Sequence, residues 1–246
     1  MTFIDSEHRD GIAFLYLNRG KVNALNGELV EELREALRAA ETSNAVVLSG
    51  RGKFFSFGFD IPELLSFSRE DFTQFVTRFT DLYTELFTFS RPVVAALNGH
   101  AIAGGCMLAL ACDARVMVAG GGKISLNEIG FGSSVFAGSA EMLRFAVGGA
   151  MATEVLYSGA MYGAEDAKRI GLAQEIAEGG ELLACATRLA ADLGSRDRRA
   201  FTSMKSLLRG PVAEEMRRRE KSWIPQFVDI WYSPSTWARL QEIKIR

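Results

Sequence analysis

Two glycine-containing turns are the parts of this sequence whose residue types and spacing most favour chemistry. They span residues 52–61 and 99–106, and each follows an apolar run that predicts a strand. Such a turn leaves backbone N–H groups free where the chain changes direction and a helix begins. Two free N–H groups that converge on one point form an oxyanion hole. A glycine after a strand is otherwise typical of a plain tight turn, and that interpretation stays open.

A glutamate between these turns and the next helix could supply proton transfer. Glu128 follows the apolar residues 124–126 and precedes a glycine-rich turn. A carboxylate at the mouth of an apolar pocket is a typical general acid or base, because such surroundings shift its pKa. The alternative is a surface residue of a loop. Glu141 is a second candidate acid, but we expect it in the first turn of its helix, where it would complement the helix dipole.

Other catalytic and metal-binding motifs are missing from the sequence. No Gly-x-Ser-x-Gly elbow and no Gly-x-Gly-x-x-Gly after a strand occurs, and neither Gly-Lys pair continues as a P-loop. Two histidines together with Cys106 and Cys112 lack the spacing of metal ligands, so we expect no metal. We interpret these two cysteines as packing residues of an apolar helix.

Length and composition indicate a soluble protein with one α/β domain and a small appendage, or with two modest domains. The chain has 246 residues, of which 48% are hydrophobic, and a formal net charge of −2. This balance gives no indication of nucleic acid or an anionic membrane surface as a partner. The three cysteines are too few for a disulfide framework and fit a reducing compartment. Because the N-terminal residues lack the apolar core of a signal peptide, we expect a cytoplasmic protein.

One uncharged stretch, residues 93–112, is long enough to cross a bilayer. Paired glycines and a central Asn-Gly-His sequence interrupt its pattern. We therefore interpret it as a strand, a turn and a buried helix that begins at about Gly104, and we expect no contact with a membrane.

Apolar runs and amphipathic stripes alternate along the first part of the chain. Strands are predicted at residues 12–18, 45–49, 93–97 and 114–118. Asn26 and Ser68 are expected to cap helices. Because the strands are continuously apolar, their sheet must be covered on both faces. After Gly138 the pattern is almost wholly helical, so we expect an α/β core at 1–180 that carries the site and a helical region at 181–246.

The glycine turns resemble the signature loops of the crotonase, or enoyl-CoA hydratase/isomerase, family. Residues 55–61 resemble its F-[SA]-x-G-x-D-[LI] segment, and residues 98–113 its N-G-x-[AV]-x-G-G-G-x-x-L-A-L-x-C-D segment. Residues 17–25 and 164–172 resemble further family motifs in the same order. The resemblance implies an α/β fold, the crotonase (ClpP-like) spiral of ββα units with a helical C-terminal region. It also implies a homotrimer or homohexamer that assembles through residues 181–246.

The resemblance further implies how an acyl-CoA thioester is bound. The backbone N–H groups of Phe59 and Gly104 match the family's oxyanion donors, and CoA follows the first loop with its adenine near residues 53–57. The implied substrate-binding residues are Val22, Ala24, Lys53, Ser56, Phe57, Phe59, Asp60, Ile61, Gly104, Gly105 and Met107. The chain departs from the family at Pro62, where hydratases often carry a lysine. CoA is part of the substrate, so no separate cofactor is implied.

The glutamates distinguish reactions within this family. Hydratases use two, whose positions are occupied here by Met107 and Glu128. A methionine cannot hold or activate a water, whereas one glutamate suffices to take a proton from C2 of a 3-enoyl thioester and return it at C4. The sequence therefore predicts conversion of 3-enoyl-CoA to 2-enoyl-CoA through an enolate, and it resembles the Δ3,Δ2-enoyl-CoA isomerase branch.

Several alternatives remain open at this stage. The chain could be a hydratase that works with one glutamate, or could catalyse another enolate-based reaction such as thioester hydrolysis. A third alternative is a protein that binds CoA thioesters without turnover. The aromatic residues Phe57, Phe59, Phe131 and Phe136 flank the proposed site, where they either line an acyl pocket or belong to the core.

Overall fold

The computed structural model describes residues 2–243, and within that range it contains nine strands and ten α-helices. The strands are β1 (Ile4–Arg9), β2 (Ile12–Leu17), β3 (Ala45–Gly50), β4 (Phe54–Ser56), β5 (Val93–Leu97), β6 (His100–Ile102), β7 (Ala114–Val118), β8 (Ile124–Ser125) and β9 (Glu175–Ala177). The helices are α1 (Gly27–Ala39), α2 (Ile61–Leu64), α3 (Arg69–Thr88), α4 (Gly104–Ala111), α5 (Ala137–Val147), α6 (Gly149–Ser158), α7 (Ala164–Ile170), α8 (Leu182–Gly194), α9 (Arg198–Trp231) and α10 (Pro234–Gln241). Short 3-10 helices lie at Ala40–Thr42, Glu128–Phe131 and Gly179–Glu181.

The strands form two sheets that the chain visits alternately. The larger sheet has the order β1-β2-β3-β5-β7-β9 and the smaller one the order β4-β6-β8. From β3 to β8 the chain alternates between the sheets: β3, β5 and β7 lie in the larger sheet, and β4, β6 and β8 lie in the smaller one. A helix or loop after each strand of the smaller sheet leads back to the larger sheet. This repetition is the expected spiral of ββα units, and the α/β class and crotonase fold are confirmed.

The smaller sheet determines where the loops of interest meet. Its strands are parallel: β4 pairs with β6, and β6 pairs with β8. Because the carboxyl ends of parallel strands lie at the same edge of a sheet, the segments that follow β4, β6 and β8 emerge side by side. Those segments carry Phe59, Gly104 and Glu128.

The larger sheet is covered on both faces, as its continuously apolar strands predict. One face belongs to the main core beneath α1, α3 and α4. The opposite face, with Phe14, Val47 and Val94, packs against apolar residues of α8. Helix α8 therefore completes the sheet layer, although it lies after residue 180. The division into a core at 1–180 and an oligomerisation region at 181–246 stays a prediction.

Most local expectations from the sequence are confirmed. Asn26 accepts a hydrogen bond from the Leu29 N–H at the start of α1, and Ser68 caps α3 in the same way. Residues 93–112 form the strand β5 and the buried helix α4 as expected, but the segment predicted as a turn between them contains a further strand, β6. None of the described helices is long and apolar enough to cross a membrane. The expectation of an almost wholly helical chain after Gly138 was wrong at β9, which pairs with β7 and extends the sheet.

A buried ionic cluster joins α9 to the core. The Asp113 carboxylate lies 2.7 Å from Lys205 Nζ and 3.3 Å from an Arg209 nitrogen, and it accepts a hydrogen bond of 2.8 Å from the Val93 N–H. Both cationic side chains are almost fully shielded from solvent. Arg209 also donates to backbone carbonyls, so its guanidinium is well satisfied. Removal of Asp113 would leave two buried cations without their counter-ion.

We expect Asp113→Ala to lower the free energy of unfolding by roughly 3–5 kcal/mol, as for other buried ion pairs that lose one partner. The matched control is Asp166→Ala, whose ion pair with Arg169 is more than half exposed on both sides and should contribute less than about 1 kcal/mol. Urea unfolding of both variants measures the difference. Equal midpoints for the two variants would contradict this role for the cluster.

Candidate active site

The first loop leaves the Phe59 N–H free. Leu25 donates to the Gly58 carbonyl at 2.8 Å, and Asp60 donates to the Leu25 carbonyl at 2.9 Å. Leu25 and Phe59 thus form a parallel β-bridge, in which the amide of Phe59 points away from Leu25. This amide donates to no group within residues 2–243. Gly58 makes the turn possible, because its φ of +90° lies in the region that favours glycine.

The second loop leaves the Gly104 N–H free for a different reason. Gly104 is the first residue of α4, so its amide has no carbonyl within the helix. The preceding residue, Ala103, has φ +49° and ψ −117°, which turns the chain sharply from β6 into the helix. A non-glycine residue with this geometry is strained by about 1–3 kcal/mol, and such strain often marks functional sites.

Glycines allow the two loops to lie against each other. A Cβ atom placed on Gly105 would lie only 2.3 Å from the Ser56 carbonyl oxygen, and one on Gly58 would lie 3.3 Å from the Gly104 nitrogen. The contact at Gly105 excludes any side chain unless the backbone shifts, and the contact at Gly58 is tighter than most real Cβ contacts. The chain ends of β4 and β6 are thus held in contact, and the free amides of Phe59 and Gly104 belong to one compact region.

Glu128 is buried beside these loops without a partner for its charge. Its side chain is only 5% exposed, and neither carboxylate oxygen accepts a hydrogen bond from the described part of the chain. Burial disfavours the ionised form and raises the pKa of Glu128 to about 8. The Glu128 carbonyl accepts a hydrogen bond of 3.0 Å from the Ser133 N–H, which closes the 3-10 turn that carries the carboxylate.

A cavity of about 360 Å³ connects these groups. Its lining residues are Phe57, Phe59, Ile61, Ile102, Ala103, Gly104, Met107, Asn127, Glu128, Gly130, Phe131, Ser133, Ser134, Phe136, Phe227, Trp231 and Ile243. Glu128 is the one titratable side chain among them, and no cluster of metal-ligating side chains occurs within residues 2–243. An apolar chamber with one carboxylate and two free amides can stabilise an oxyanion and move a proton beside it.

Six of the predicted site residues lie on this cavity: Phe57, Phe59, Ile61, Gly104, Met107 and Glu128. The other six, which the structure does not place on its wall, are Val22, Ala24, Lys53, Ser56, Asp60 and Gly105. Two of these have side chains engaged within the fold. The Ser56 hydroxyl donates to the Asn23 carbonyl, and the Asp60 carboxylate caps α2 and binds Arg19. A role for either residue in substrate binding would therefore fall to its backbone.

The expectation for Glu141 was wrong. It is the fifth residue of α5, beyond the first turn, and it forms ion pairs with Arg219 and Arg144. The amide of Gly138 in that first turn donates instead to Glu220 of α9, at 2.6 Å. Glu141 also does not line the cavity. The four phenylalanines that flank the site in the sequence all line the cavity wall.

Sequence reasoning missed the cavity residues that come from distant or short segments. Phe227 and Trp231 lie at the end of α9, about a hundred residues after Glu128, and no local sequence motif indicates that they line the cavity. Asn127 and Ser133 lie on either side of Glu128 in the chain. Their polar side chains, next to the apolar residues 124–126, were the one feature of the sequence that could have pointed to the cavity.

The C-terminal helices hold the segment that carries Glu128. Thr236 donates to the Gly132 carbonyl at 2.7 Å, and the Trp223 indole donates to the Val135 carbonyl at 2.9 Å. Glu220, which receives the Gly138 amide, also accepts a hydrogen bond from the Tyr83 hydroxyl. Residues 132–138 are therefore fixed at three points by α9 and α10, so Glu128 depends on these helices for its position.

Comparison with known proteins gives consistent similarities. Residues 7–225 match the protein family described as enoyl-CoA hydratase/isomerase. A crotonyl-CoA hydratase of Syntrophomonas wolfei is 32% identical over 205 residues, which cover 81% of this chain and 78% of the relative. A mitochondrial enoyl-CoA hydratase of Pongo abelii is 32% identical over 225 residues, which cover 88% of this chain and 76% of the relative.

Solved structures share the fold over nearly the whole chain. An enoyl-CoA hydratase from Bacillus halodurans superposes with a TM-score of 0.89 at 26% identity, and covers 98% of this chain and 100% of its own. The human mitochondrial delta3-delta2-enoyl-CoA isomerase superposes with a TM-score of 0.94 at 23% identity, and covers 98% of this chain and 96% of its own. The second likeness carries information on the fold alone.

We expect Ala103→Gly to raise the free energy of unfolding by roughly 1 kcal/mol, because glycine adopts the positive φ of this position without strain. The control is Ala101→Gly in the buried strand β6, where glycine only adds flexibility and removes a packed methyl group. That change should lower stability by about 1 kcal/mol. Chemical unfolding measures both, and a loss of stability in Ala103→Gly as large as in Ala101→Gly would show that residue 103 is not strained.

Proposed function

We propose that this chain, which belongs to the enoyl-CoA hydratase/isomerase family, moves the double bond of a 3-enoyl-CoA to give the 2-enoyl-CoA. The observation that carries the proposal is the single carboxylate: among residues 2–243, Glu128 is the one titratable group on the cavity wall. A reaction that needs one acid/base fits this wall better than a reaction that needs two. The position of the hydratase acid is filled by Met107, which is buried and apolar.

In this mechanism the thioester oxygen accepts hydrogen bonds from the amides of Phe59 and Gly104. Removal of a proton from C2 moves negative charge onto that oxygen, so both hydrogen bonds strengthen as the enolate forms. Each donor of this kind typically contributes about 3 kcal/mol to the transition state. The two amides are held by the fold before substrate arrives, so little reorganisation is required.

Glu128 removes the proton from C2 and returns it at C4 of the enolate. Its burial raises the pKa to about 8, so the ionised carboxylate is a stronger base than an exposed one. The apolar surroundings favour the protonated form, which can deliver the proton to C4. One group thus acts in both steps, and no metal or redox cofactor takes part.

CoA itself is expected to lie along the first loop, outside the acyl cavity. Phe57 is 39% exposed and lies between the cavity and the aromatic pair of Phe54 and His100. The further candidates for binding the thioester and the nucleotide are Val22, Ala24, Lys53, Ser56, Asp60, Ile61 and Gly105.

We place the enzyme in the cytoplasm as a homotrimer or homohexamer. Three exposed residues of α9, Met204, Leu207 and Leu208, offer an apolar surface for such assembly.

Hydration of 2-enoyl-CoA is a second candidate, favoured by the names of the hydratase relatives. It would require Glu128 to activate water alone. Incubation with a panel of 2-enoyl-CoA and 3-enoyl-CoA thioesters, followed by mass spectrometry, distinguishes the reactions. Hydratase activity well above isomerase activity would contradict our choice, and no loss of any thioester would indicate a protein that only binds CoA thioesters.

We expect Glu128→Gln to lower kcat for isomerisation by about 10²- to 10⁴-fold, because the variant keeps the shape of the side chain and loses the base. KM should change little, since CoA is bound by the loops. For the unmodified enzyme, kcat/KM should rise with pH and level off above about 8, where Glu128 is ionised. Initial rates with 3-hexenoyl-CoA between pH 5 and 10 measure all three quantities.

Two controls accompany this variant. Glu141→Gln lies outside the cavity and should retain near-normal turnover; its inactivation in a folded protein would contradict the assignment. The second control is stability: because the folded protein holds the Glu128 proton up to about pH 8 and the unfolded chain releases it near the ordinary value, wild type loses stability as pH rises between these limits. Glu128→Gln should therefore gain stability relative to wild type over that window.

A separate pair of variants tests the oxyanion donors. Gly104→Pro removes the amide hydrogen at the first position of a helix, where proline is tolerated. Gly104→Ala keeps the hydrogen and matches proline at Cβ, the atom that crowds Leu25 and Phe59 at 3.0 and 3.2 Å. We expect the proline variant to be slower than the alanine variant by about 10²-fold or more in kcat. Equal rates in two folded variants would exclude Gly104 as a donor.

A further inference from the structure

Besides Glu128, two buried polar side chains of the acyl cavity have no hydrogen-bond partner. Ser133 is 8% exposed and Trp231 is 2% exposed, and both line the cavity. The Ser133 hydroxyl and the Trp231 indole nitrogen make no hydrogen bond to any group within residues 2–243. The side-chain oxygen of Asn127 on the same wall is likewise unpaired. Outside the cavity, the Trp223 indole and the Ser139 hydroxyl donate to backbone carbonyls at 2.9 and 2.8 Å.

These two groups conflict with a plain hydrocarbon as the natural acyl chain. The Ser133 hydroxyl and the Trp231 indole nitrogen are both shielded from solvent. An alkenyl chain in the cavity offers them no acceptor and would leave a buried hydroxyl and a buried N–H unpaired, which weakens binding. A site with buried polar groups therefore discriminates strongly against ligands that cannot pair with them.

The charge of the cavity restricts the missing partner further. Among residues 2–243, no lysine, arginine or histidine lines the wall, and the one ionisable side chain that does is an acid, Glu128. A carboxylate on the acyl chain would be desolvated there without a counter-ion, at a large cost. A neutral oxygen, in contrast, accepts hydrogen bonds from both the hydroxyl and the indole N–H.

We propose that the natural substrate carries a neutral oxygen, a hydroxyl or carbonyl group, on its acyl chain, and that Ser133 and Trp231 bind it. The oxygen lies beyond C4, since C2 to C4 must be free for the shift of the double bond. This inference rests on the proposed function for the identity of the CoA thioester, and it makes Ser133 and Trp231 determinants of acyl specificity. They take no part in proton transfer.

Calorimetric titration with saturated thioesters tests the proposal without turnover. Hexanoyl-CoA and octanoyl-CoA are compared with 5-oxohexanoyl-CoA, 6-hydroxyhexanoyl-CoA and 8-hydroxyoctanoyl-CoA, with adipyl-CoA as the charged member. We expect at least one oxygenated thioester to bind about tenfold or more tightly than its plain counterpart, and adipyl-CoA to show no such gain. Equal affinities throughout, or tightest binding of adipyl-CoA, would overturn the proposal.

Variants assign the preference to its residues. Ser133→Ala and Trp231→Phe should each reduce the ratio of affinities, while Ser139→Ala, which removes a buried but already paired hydroxyl outside the cavity, should keep it. A ratio unchanged in both cavity variants would overturn the assignment. These affinities are measured independently of isomerase turnover of 3-hexenoyl-CoA. If turnover is seen and the affinities are equal, only the inference on acyl specificity fails. If no turnover is seen but an oxygenated thioester binds more tightly, only the proposed function fails.

Discussion

The carboxylate of Glu128 is buried in the cavity wall and accepts no hydrogen bond from residues 2–243, and this desolvation is the constraint on which the proposed chemistry depends. Burial of an unpaired acid opposes folding, because the charged form is favoured in water. The same burial raises the pKa and makes the ionised group a stronger base. Stability lost at Glu128 is offset elsewhere, in the fully buried apolar core.

A desolvated base is useful only if it is held against the group that it deprotonates. The smaller sheet brings the three loops to one edge, and close glycine contacts fix the amides of Phe59 and Gly104. The segment after Glu128 is fixed from the other side by Glu220, Trp223 and Thr236 of the C-terminal helices. These helices are thus part of the scaffold of the candidate site, and they support it from within the same chain.

The sequence was sufficient for the parts of the site that lie in continuous motifs. Phe59, Gly104 and Glu128 each follow a short strand, so their local patterns predict both the turn and its free groups. Trp231 and Phe227 could not be predicted, because their contact with the cavity depends on how a distant helix packs. Glu141 was misplaced for a similar reason: the first turn of α5 is satisfied by Glu220 from α9, and no local acid is needed there.

The central claim is that one buried carboxylate takes the proton from C2 and returns it at C4. A single-turnover experiment tests this most directly, with excess enzyme, 3-hexenoyl-CoA deuterated at C2, and ordinary water. Because Glu128 is shielded from solvent, we predict that a measurable fraction of the abstracted deuterium appears at C4 of the 2-hexenoyl-CoA product, detected by mass spectrometry and NMR. Product whose C4 carries only solvent hydrogen, even at the earliest times, would contradict the account.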